Sequence, residues 1–247
     1  MIWEAVTQAG SIYFYMAVLS ALFATGRRRQ AIGLSYLFAL SALTVAITKE
    51  IFTTPRPPLH TEPTYGFPSG HTALSAALAS FFLERKTFFL LAVPLLVGLS
   101  RIMLSEHYPI DVAGGLAIGL TEGALLKRIF DGNYERYLKA EQKYRTELLI
   151  LLYLAFASTF LLSFHTTVYS NYTGLIIGLF TGILLNREPE GEKGIWRGLI
   201  ALSGFLILLL PIQDTSLIYL SHFLLGAWVS YLGPLTADLL ESAGKKN

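Results

Sequence analysis

The stretch QAIGLSYLFALSALTVAITK, residues 30–49, contains no charged residue before its last one, Lys49. An uncharged, mostly apolar run of about 20 residues is the length that an α-helix needs to cross a bilayer. The whole chain has the same character, because 53% of its 247 residues are hydrophobic and only 15% are charged. Soluble domains carry about 25% charged residues. The sequence therefore predicts a helical membrane protein.

Segments of this kind recur along the chain and are separated by short charged clusters. They cover roughly residues 6–26, 30–49, 71–84, 87–105, 111–130, 147–165, 171–186, 195–211 and 216–236. Two of them, 71–84 and 171–186, are shorter than a perpendicular span requires and are expected to pack inside the bundle or to tilt. The predicted fold is an all-α, polytopic membrane bundle of about nine transmembrane segments. The N-terminus lacks a positively charged region, so no cleaved signal peptide is predicted.

The distribution of basic residues predicts the orientation, because lysine and arginine concentrate in cytoplasmic loops. If the nine segments alternate, all but three of the 19 basic residues fall on one side. This predicts a multi-pass cell-membrane protein with its N-terminus outside and its C-terminus in the cytoplasm. The three exceptions, Lys49, Arg56 and Arg101, are called the outer cations below. One such residue can be explained by snorkelling, but three together match the charge of a phosphate group.

The sequence DGNYERYLKAEQKYRTE, residues 131–147, mixes charges with tyrosines and is predicted to be a cytoplasmic connector, with an interfacial helix as one form that it can take. It divides the chain into an N-terminal core, residues 1–130, and a C-terminal extension of four helices, residues 148–247. Two series of glycines at four-residue spacing predict close helix packing rather than catalysis. They are Gly115, Gly119 and Gly123, and Gly174, Gly178 and Gly182.

The stretch FPSGHTALS, residues 67–75, opens the third apolar segment on the outer side. Ser69 is a favourable N-cap, and Gly70 allows the backbone to approach a ligand closely. The free amides at such a helix start favour binding of a phosphate. A capped helix start accounts for Ser69 and Gly70, but it does not account for His71.

The stretch SRIMLSEHYPID, residues 100–111, places His107 four residues before Asp111. A carboxylate at this distance can orient one ring nitrogen and leave the other free to attack a substrate. Alternatively, Asp111 only caps the next helix and His107 is a solvated loop residue, and this stretch alone favours that alternative. Together with a second histidine and the outer cations, the pair instead favours a nucleophile with a general acid.

The three stretches together resemble the signature of the type 2 phosphatidic acid phosphatase (PAP2) superfamily. The matching positions are Lys49-x6-Arg56-Pro57, Pro68-Ser69-Gly70-His71 and Ser100-Arg101-x5-His107-x3-Asp111. They occur in the family's order and spacing, and the resemblance covers roughly residues 1–130. Members of this family usually have six core helices, with three before the first motif. Here only two segments precede it, and four are added at the end, which puts lipid entry and substrate choice in question.

The resemblance implies a role for each matching residue. His107 would attack phosphorus to form a phosphohistidine, Asp111 would orient its ring, and His71 would protonate the leaving oxygen. The phosphoryl group would be held by Lys49, Arg56, Ser69, Gly70 and Arg101. Water would then hydrolyse the intermediate, and neither a metal nor another cofactor is expected.

The implied function is a membrane phosphatase acting at the extracytoplasmic face on a lipid phosphate or diphosphate. Polyprenyl diphosphate, phosphatidic acid and phosphatidylglycerol phosphate are the candidate substrates. The expected partners are this lipid and the bilayer, with no nucleic acid. Two alternatives stay open, a lipid-linked phosphotransferase that uses the same phosphohistidine and a non-enzymatic lipid transporter on the same scaffold. His60, Glu62 and Glu106, which lie near the motifs, are predicted to be solvated loop residues.

Overall fold

The computed structural model of the protein describes residues 1–60, 64–84, 86–163, 170–186, 194–208 and 215–244. Within these ranges every regular element is a helix, so the prediction of an all-α fold is confirmed for the described part of the chain. Some residues on which the sequence predictions depend lie outside these ranges. They include Glu62 and five of the basic residues that predicted the orientation, namely Arg85, Arg187, Lys193, Lys245 and Lys246.

The helices follow one another along the chain, and the connection between α3 and α4 carries Arg56. The α-helices are α1 Ile2–Thr7, α2 Ile12–Ala24, α3 Arg28–Phe52, α4 Gly70–Phe81, α5 Ala92–Met103, α6 Pro109–Ser163, α7 Ser170–Leu185, α8 Ile195–Leu208, α9 Thr215–Ala227 and α10 Gly233–Gly244. Two short 3-10 turns, Gln8–Gly10 and Phe88–Leu91, precede α2 and α5, and a π-helical turn, Trp228–Leu232, joins α9 to α10.

Among the described residues, three helical stretches are long and apolar enough to cross a membrane. They are Arg28–Phe52, Pro109–Leu154 and Leu220–Ala243. A fourth span results if Ile2–Gly10 and Ile12–Ala24, which are bent by 53° relative to one another, are counted as one. Apolar helices therefore support a membrane protein, and the count of about nine segments stays a prediction.

The bend in the first apolar segment, which the sequence predicted as one stretch, is centred on Ser11. The backbone of Ser11 is extended, with φ −77 and ψ 153, and its hydroxyl accepts a hydrogen bond of 3.2 Å from the amide of Phe14. A serine in this conformation caps a new helix, so the chain starts α2 afresh instead of continuing α1. The preceding Gly10 packs against the carbonyl oxygen of His71, which a Cβ on Gly10 would approach to 2.6 Å.

Residues 131–147 are helical and lie within α6, and their role as a cytoplasmic connector stays a prediction. Within α6 only Tyr144, with φ −110 and ψ 18, departs from helical geometry and marks a kink between two helical stretches. Charged side chains in and beside this region stabilise the helix through pairs at i,i+4 spacing. Lys127 pairs with Asp131 at 3.5 Å, and Arg145 pairs with Glu141 at 2.9 Å.

The chain divides into two compact units. The first unit consists of Met1–Tyr15 and Tyr36–Gly132, and the second of Met16–Ser35 and Asn133–Asn247. All the predicted site residues belong to the first unit. In the second unit α7 packs on α9, because Gly178 faces the carbonyl oxygen of Phe223 so closely that a Cβ would not fit. This confirms the packing predicted for the second glycine series at Gly178.

In the first unit the other glycine series packs α6 against α4. A Cβ on Gly115 would lie 2.6 Å from the carbonyl oxygen of Ser69, and one on Gly123 would lie 2.5 Å from that of Ala77. Between them, Gly119 faces the carbonyl oxygen of Ala73 at even closer range. The predicted packing role of this series is therefore confirmed, and it fixes the beginning of α4 beside the beginning of α6.

We expect Gly119→Ala to lower the free energy of unfolding by about 1–3 kcal/mol, because the added methyl forces α4 and α6 apart. Thermal unfolding in detergent measures this change. The matched control is Gly132→Ala in the same helix, where an added Cβ meets no atom within 4 Å. Alanine there should stabilise the helix by about 0.5–1 kcal/mol. Equal melting temperatures for the two variants would contradict the packing of α6 on α4.

Candidate active site

Lys49 lies in the last turn of α3 and is 8% exposed. Its ammonium group donates hydrogen bonds to the carbonyl oxygens of Tyr65 and Gly66. The two ends of the loop after α3 are also joined by a hydrogen bond of 2.9 Å, which the amide of Gly66 donates to the carbonyl oxygen of Thr54. The end of α3 and the far end of this loop are thus held together, with the Lys49 charge between them.

Arg56 is 7% exposed and connects this loop with the His107 loop. Its Nε donates to the carbonyl oxygen of Thr64 at 2.6 Å, and Nη2 donates to the Thr64 hydroxyl at 2.8 Å. Its Nη1 donates to the carbonyl oxygen of Glu106 at 2.9 Å and lies 3.2 Å from Nε2 of His107. A guanidinium group suits this position because its donors point in several fixed directions at once.

The start of α4 carries the second motif. Ser69 is fully buried at the N-cap, as predicted, but its hydroxyl makes no capping bond and instead accepts one of 2.9 Å from Thr72 Oγ1. The amide of Ser69 donates to the carbonyl of Asp111 at 2.9 Å, which joins the beginnings of α4 and α6. A Cβ on Gly70 would meet only Val45, at an ordinary 3.6 Å, so packing does not require glycine there. His71 follows and is half-buried.

The end of α5 turns the third motif back over its own helix. Ser105 has a positive φ of 58, its amide donates to the carbonyl of Ile102, and the amide of Glu106 donates to the carbonyl of Arg101. This is the Schellman arrangement that commonly ends helices. The amide of His107 also points at the Arg101 carbonyl, at 3.3 Å. The turn therefore brings Glu106 and His107 next to Arg101.

His107 and Asp111 form a buried pair, with 3% and 1% exposure. Nδ1 of His107 lies 3.3 Å from Oδ2 of Asp111, and the same oxygen accepts a 2.9 Å hydrogen bond from the amide of Tyr108. Asp111 is the third residue of α6, so it caps the helix from inside the first turn. The two interpretations of this stretch therefore hold together, since Asp111 both caps α6 and contacts His107.

The site holds His107 in its neutral form. Burial is the largest cause that lowers the pKa of His107 from 6.5 to about 2. Positive charge lowers the pKa further, in decreasing order from Arg56, Lys49, Arg101 and His71. The structure thus brings all three outer cations and the second histidine to the ring of His107. A neutral ring whose Nδ1 donates to Asp111 keeps its lone pair on Nε2.

We expect His107 to stay neutral as the pH falls from 8 to about 5, because its folded pKa is far below the ordinary 6.5. Below 6.5 the folded protein then binds fewer protons than the unfolded chain, so the free energy of unfolding decreases as the pH falls. NMR titration of the histidine Cε1 signals, assigned with His107→Ala, measures the protonation. An inflection of the His107 signal near pH 6.5 would contradict this electrostatic environment.

The prediction that Glu106 is a solvated loop residue is wrong. Its side chain is buried, with 6% of the residue exposed, and Oε2 lies 3.5 Å from Nη1 of Arg56 and 3.7 Å from Nη2 of Arg101. The position of Glu106 in a loop beside His107 suggested exposure, but the turn at Ser105 directs this carboxylate inward. The sequence did contain one indication that Glu106 is buried, because a cluster of three cations favours a carboxylate close to it. His60 is exposed, as predicted.

Thr7 also belongs to this site and carries no sequence signal. Its hydroxyl accepts a hydrogen bond of 3.3 Å from Nη1 of Arg101, and Thr7 is 6% exposed. The contact depends on how α1 packs against α5, which a short apolar helix does not reveal. Within the part of the chain that the structure describes, no group of three His, Asp or Glu side chains could hold a metal ion.

The fold and the site define a class of protein, a helical membrane protein with a buried histidine–carboxylate pair surrounded by cations. A family model described as the PAP2 superfamily matches residues 30–135, the range that contains all eight predicted site residues. The match to a mycobacterial relative covers 72% of that protein at 34% identity. The chain therefore belongs to the PAP2 superfamily.

Several of the curated proteins that the chain is similar to are named as phosphatases of lipids. The chain is 34% identical over 130 residues, 49% of its length, to decaprenylphosphoryl-5-phosphoribose phosphatase of Mycobacterium tuberculosis. It is 43% identical over 68 residues to undecaprenyl-diphosphatase BcrC of Bacillus subtilis, covering 26% of the chain and 35% of that protein. It is 31% identical over 118 residues to phosphatidylglycerophosphatase B of Bacillus subtilis, covering 41% and 58%. Family and names together indicate a phosphatase.

These matches have limited extent. The chain spans only about a third of the length of the undecaprenyl-diphosphatase and more than half of the phosphatidylglycerophosphatase. No solved structure shows a significant match to the chain.

Proposed function

We propose that this protein is an integral membrane lipid phosphatase that works through a phosphohistidine intermediate. The observation that carries the proposal is the position of His107, with Nδ1 facing the Asp111 carboxylate at 3.3 Å and Nε2 facing Arg56 at 3.2 Å. A neutral imidazole in this setting has one nitrogen oriented and the other available as a nucleophile among phosphate-binding cations.

In the first step, Nε2 of His107 attacks phosphorus and forms a nitrogen–phosphorus bond. Nη1 of Arg56, which lies against Nε2 in the free site, moves to a phosphoryl oxygen. The bond from phosphorus to the leaving oxygen breaks, the electron pair stays on that oxygen, and His71 supplies its proton. The outer cations, with Ser69 and the amide of Gly70, stabilise the charge on the transferring group.

In the second step, water attacks the phosphorus of the phosphohistidine. The nitrogen–phosphorus bond breaks and its electron pair returns to Nε2 of His107. His71, which lost its proton in the first step, accepts a proton from the water. Inorganic phosphate leaves, and both histidines return to their starting states. Asp111 remains a carboxylate throughout and stabilises the positive charge that the His107 ring carries in the intermediate.

The proposed substrate is a phosphomonoester or diphosphate lipid, namely polyprenyl diphosphate, phosphatidic acid or phosphatidylglycerol phosphate. The names of the relatives support lipid phosphates as a class. Apolar side chains next to the site residues are exposed, including Phe52 at 57% and Ile110 at 67%. Such side chains suit a bilayer surface, so the lipid tail stays in the membrane while the head group reaches His107.

We further propose a PAP2-like core over residues 1–130 and a C-terminal extension of four transmembrane helices after residue 147, about nine spans in all. The site faces the extracytoplasmic side and the C-terminus lies in the cytoplasm. The distribution of basic residues supports this orientation. The chain contains no cysteine. Single cysteines at Glu62 and Arg136 should therefore react with an impermeant reagent from opposite sides, and reaction from the same side would exclude the orientation.

The decisive experiment measures phosphate release by the purified protein from a panel of lipid phosphates and diphosphates in the presence of a chelator. We expect turnover of at least one lipid without added metal. Transfer of the phosphoryl group to an added lipid alcohol, without free phosphate, would instead identify a phosphotransferase. Absence of any turnover, together with lipid movement between leaflets in vesicles, would identify a transporter.

A further inference from the structure

Among the residues that the structure describes, Glu106 is the one buried carboxylate of this site that the proposed mechanism does not use. A single oxygen, Oε2, lies between the guanidinium groups of Arg56 and Arg101, at 3.5 and 3.7 Å. Both arginines are themselves buried, with 7% and 4% exposure. At these distances the negative charge of the carboxylate acts directly on both guanidinium groups.

The backbone, rather than the side chain, accounts for the structural contribution of Glu106. Its carbonyl oxygen accepts the 2.9 Å hydrogen bond from Arg56, and its amide donates to the carbonyl of Arg101. Any residue other than proline at position 106 can make both of these bonds. The backbone bonds therefore hold the loop, and the carboxylate adds a negative charge between two arginines that are proposed to bind phosphate.

In a site built to bind an anion, a fixed carboxylate weakens the attraction. The interaction between buried charges a few ångströms apart is strong, because little water screens them. Glu106 offsets the charge of one of the outer cations and repels any phosphoryl group held by Arg56 and Arg101. The repulsion grows with the charge of the ligand, and a lipid diphosphate carries more negative charge than a lipid phosphomonoester.

We propose that Glu106 is a specificity-determining residue, which tunes the charge of the phosphate site and shifts its preference from diphosphates towards phosphomonoesters. The inference rests on the proposed phosphatase function, because it assigns Glu106 to the selection of that enzyme's substrate. In this role Glu106 neither attacks the substrate nor transfers a proton. It acts only through electrostatic repulsion of the bound phosphoryl group.

The experiment compares wild type with Glu106→Gln, which removes the charge and keeps the size, and with Glu106→Asp, which keeps the charge. Binding of inorganic phosphate is measured by calorimetry in detergent, and kcat/KM is measured for a polyprenyl diphosphate and for phosphatidic acid. Glu50→Gln, an exposed position at the end of α3, is the control for a general change of charge. All four proteins are first checked by thermal unfolding.

We expect Glu106→Gln to bind inorganic phosphate about tenfold more tightly, and to raise the ratio of kcat/KM for diphosphate over phosphomonoester. Glu50→Gln should stay close to wild type in both measurements, and Glu106→Asp, which keeps the charge but shortens the side chain, should lie between wild type and Glu106→Gln. Weaker phosphate binding by a folded Glu106→Gln protein, or an unchanged substrate ratio, would overturn the inference. So would a Glu106→Gln protein that does not fold while Glu106→Asp does, since the charge would then serve the fold.

The two proposals fail in different ways. If the wild-type protein releases no phosphate from any lipid, the phosphatase function is wrong. If wild type is active and Glu106→Gln leaves both phosphate affinity and substrate preference unchanged, only the assignment of Glu106 is wrong.

Discussion

His107→Ala is expected to lower phosphate release by at least about a thousandfold, because it removes the ring nitrogen that is proposed to attack phosphorus. Neither Asp111 nor the outer cations can replace a nucleophile. The measurement is the rate of phosphate release by purified protein, with radiolabelled substrate to trap the phosphoenzyme. Wild type should form an acid-labile protein-bound phosphate, and the variant should form none.

His60→Ala is the matched control for His107→Ala. His60 lies in the loop between α3 and α4 and is exposed. Its Nδ1 lies 2.8 Å from the carbonyl oxygen of Pro57. It should retain wild-type activity. If His107→Ala kept its rate, or if labelled phosphate remained on the variant protein, another residue would be the nucleophile and the proposed mechanism would be wrong.

Asp111→Asn is expected to lower kcat by about a hundredfold to ten-thousandfold with little effect on stability. Asparagine can still accept the hydrogen bond from the amide of Tyr108, so α6 stays capped. The same oxygen can also accept a hydrogen bond from Nδ1 of His107, so the ring keeps its tautomer, but the neutral amide does not stabilise the positive charge that the ring carries in the proposed intermediate. This charge develops only after the substrate is bound, so the loss should fall on kcat and not on KM.

Asp111→Ala separates the two contributions of this residue. Alanine loses the capping interaction as well as the contact with His107, so this variant should also lose about 1 kcal/mol of stability. Thermal unfolding and steady-state kinetics on the two variants measure the difference. Equal melting temperatures would show that Asp111 does not cap α6. An unchanged kcat in Asp111→Asn would show that the negative charge of Asp111 does not assist His107.

The sequence predicted those features that depend on local pattern. When a long uncharged run crosses a membrane, it satisfies its backbone polar groups by forming a helix. The helical class therefore follows from residues such as 30–49 alone. Glycines at four-residue spacing lie on one face of a helix, so Gly115 and Gly119 predicted a packing surface without any knowledge of the partner. The three motifs likewise identified chemically matched residues that the structure brings together.

The sequence was less informative about where helices break or continue. Polar and charged residues at 131–147 predicted a connector but did not show where its helix kinks, which is at Tyr144. Pairs such as Glu141 and Arg145 at helical spacing stabilise α6 in this region. Conversely, the apolar run 6–26 gave no sign of the 53° bend at Ser11. Both differences arise because composition reports burial averaged over a segment, whereas continuity depends on hydrogen bonds at single residues.

The sequence by itself determined that this is a helical membrane protein with the PAP2 motifs, because hydropathy and motif spacing are properties of the chain. Only the tertiary structure decided that Glu106 is buried between Arg56 and Arg101, that Thr7 contacts Arg101, and that one oxygen of Asp111 serves both Tyr108 and His107. The physical reason is that the burial and the pKa of a charged group depend on which distant residues surround it. In this protein a single turn with positive φ at Ser105 sets those surroundings for Glu106 and His107.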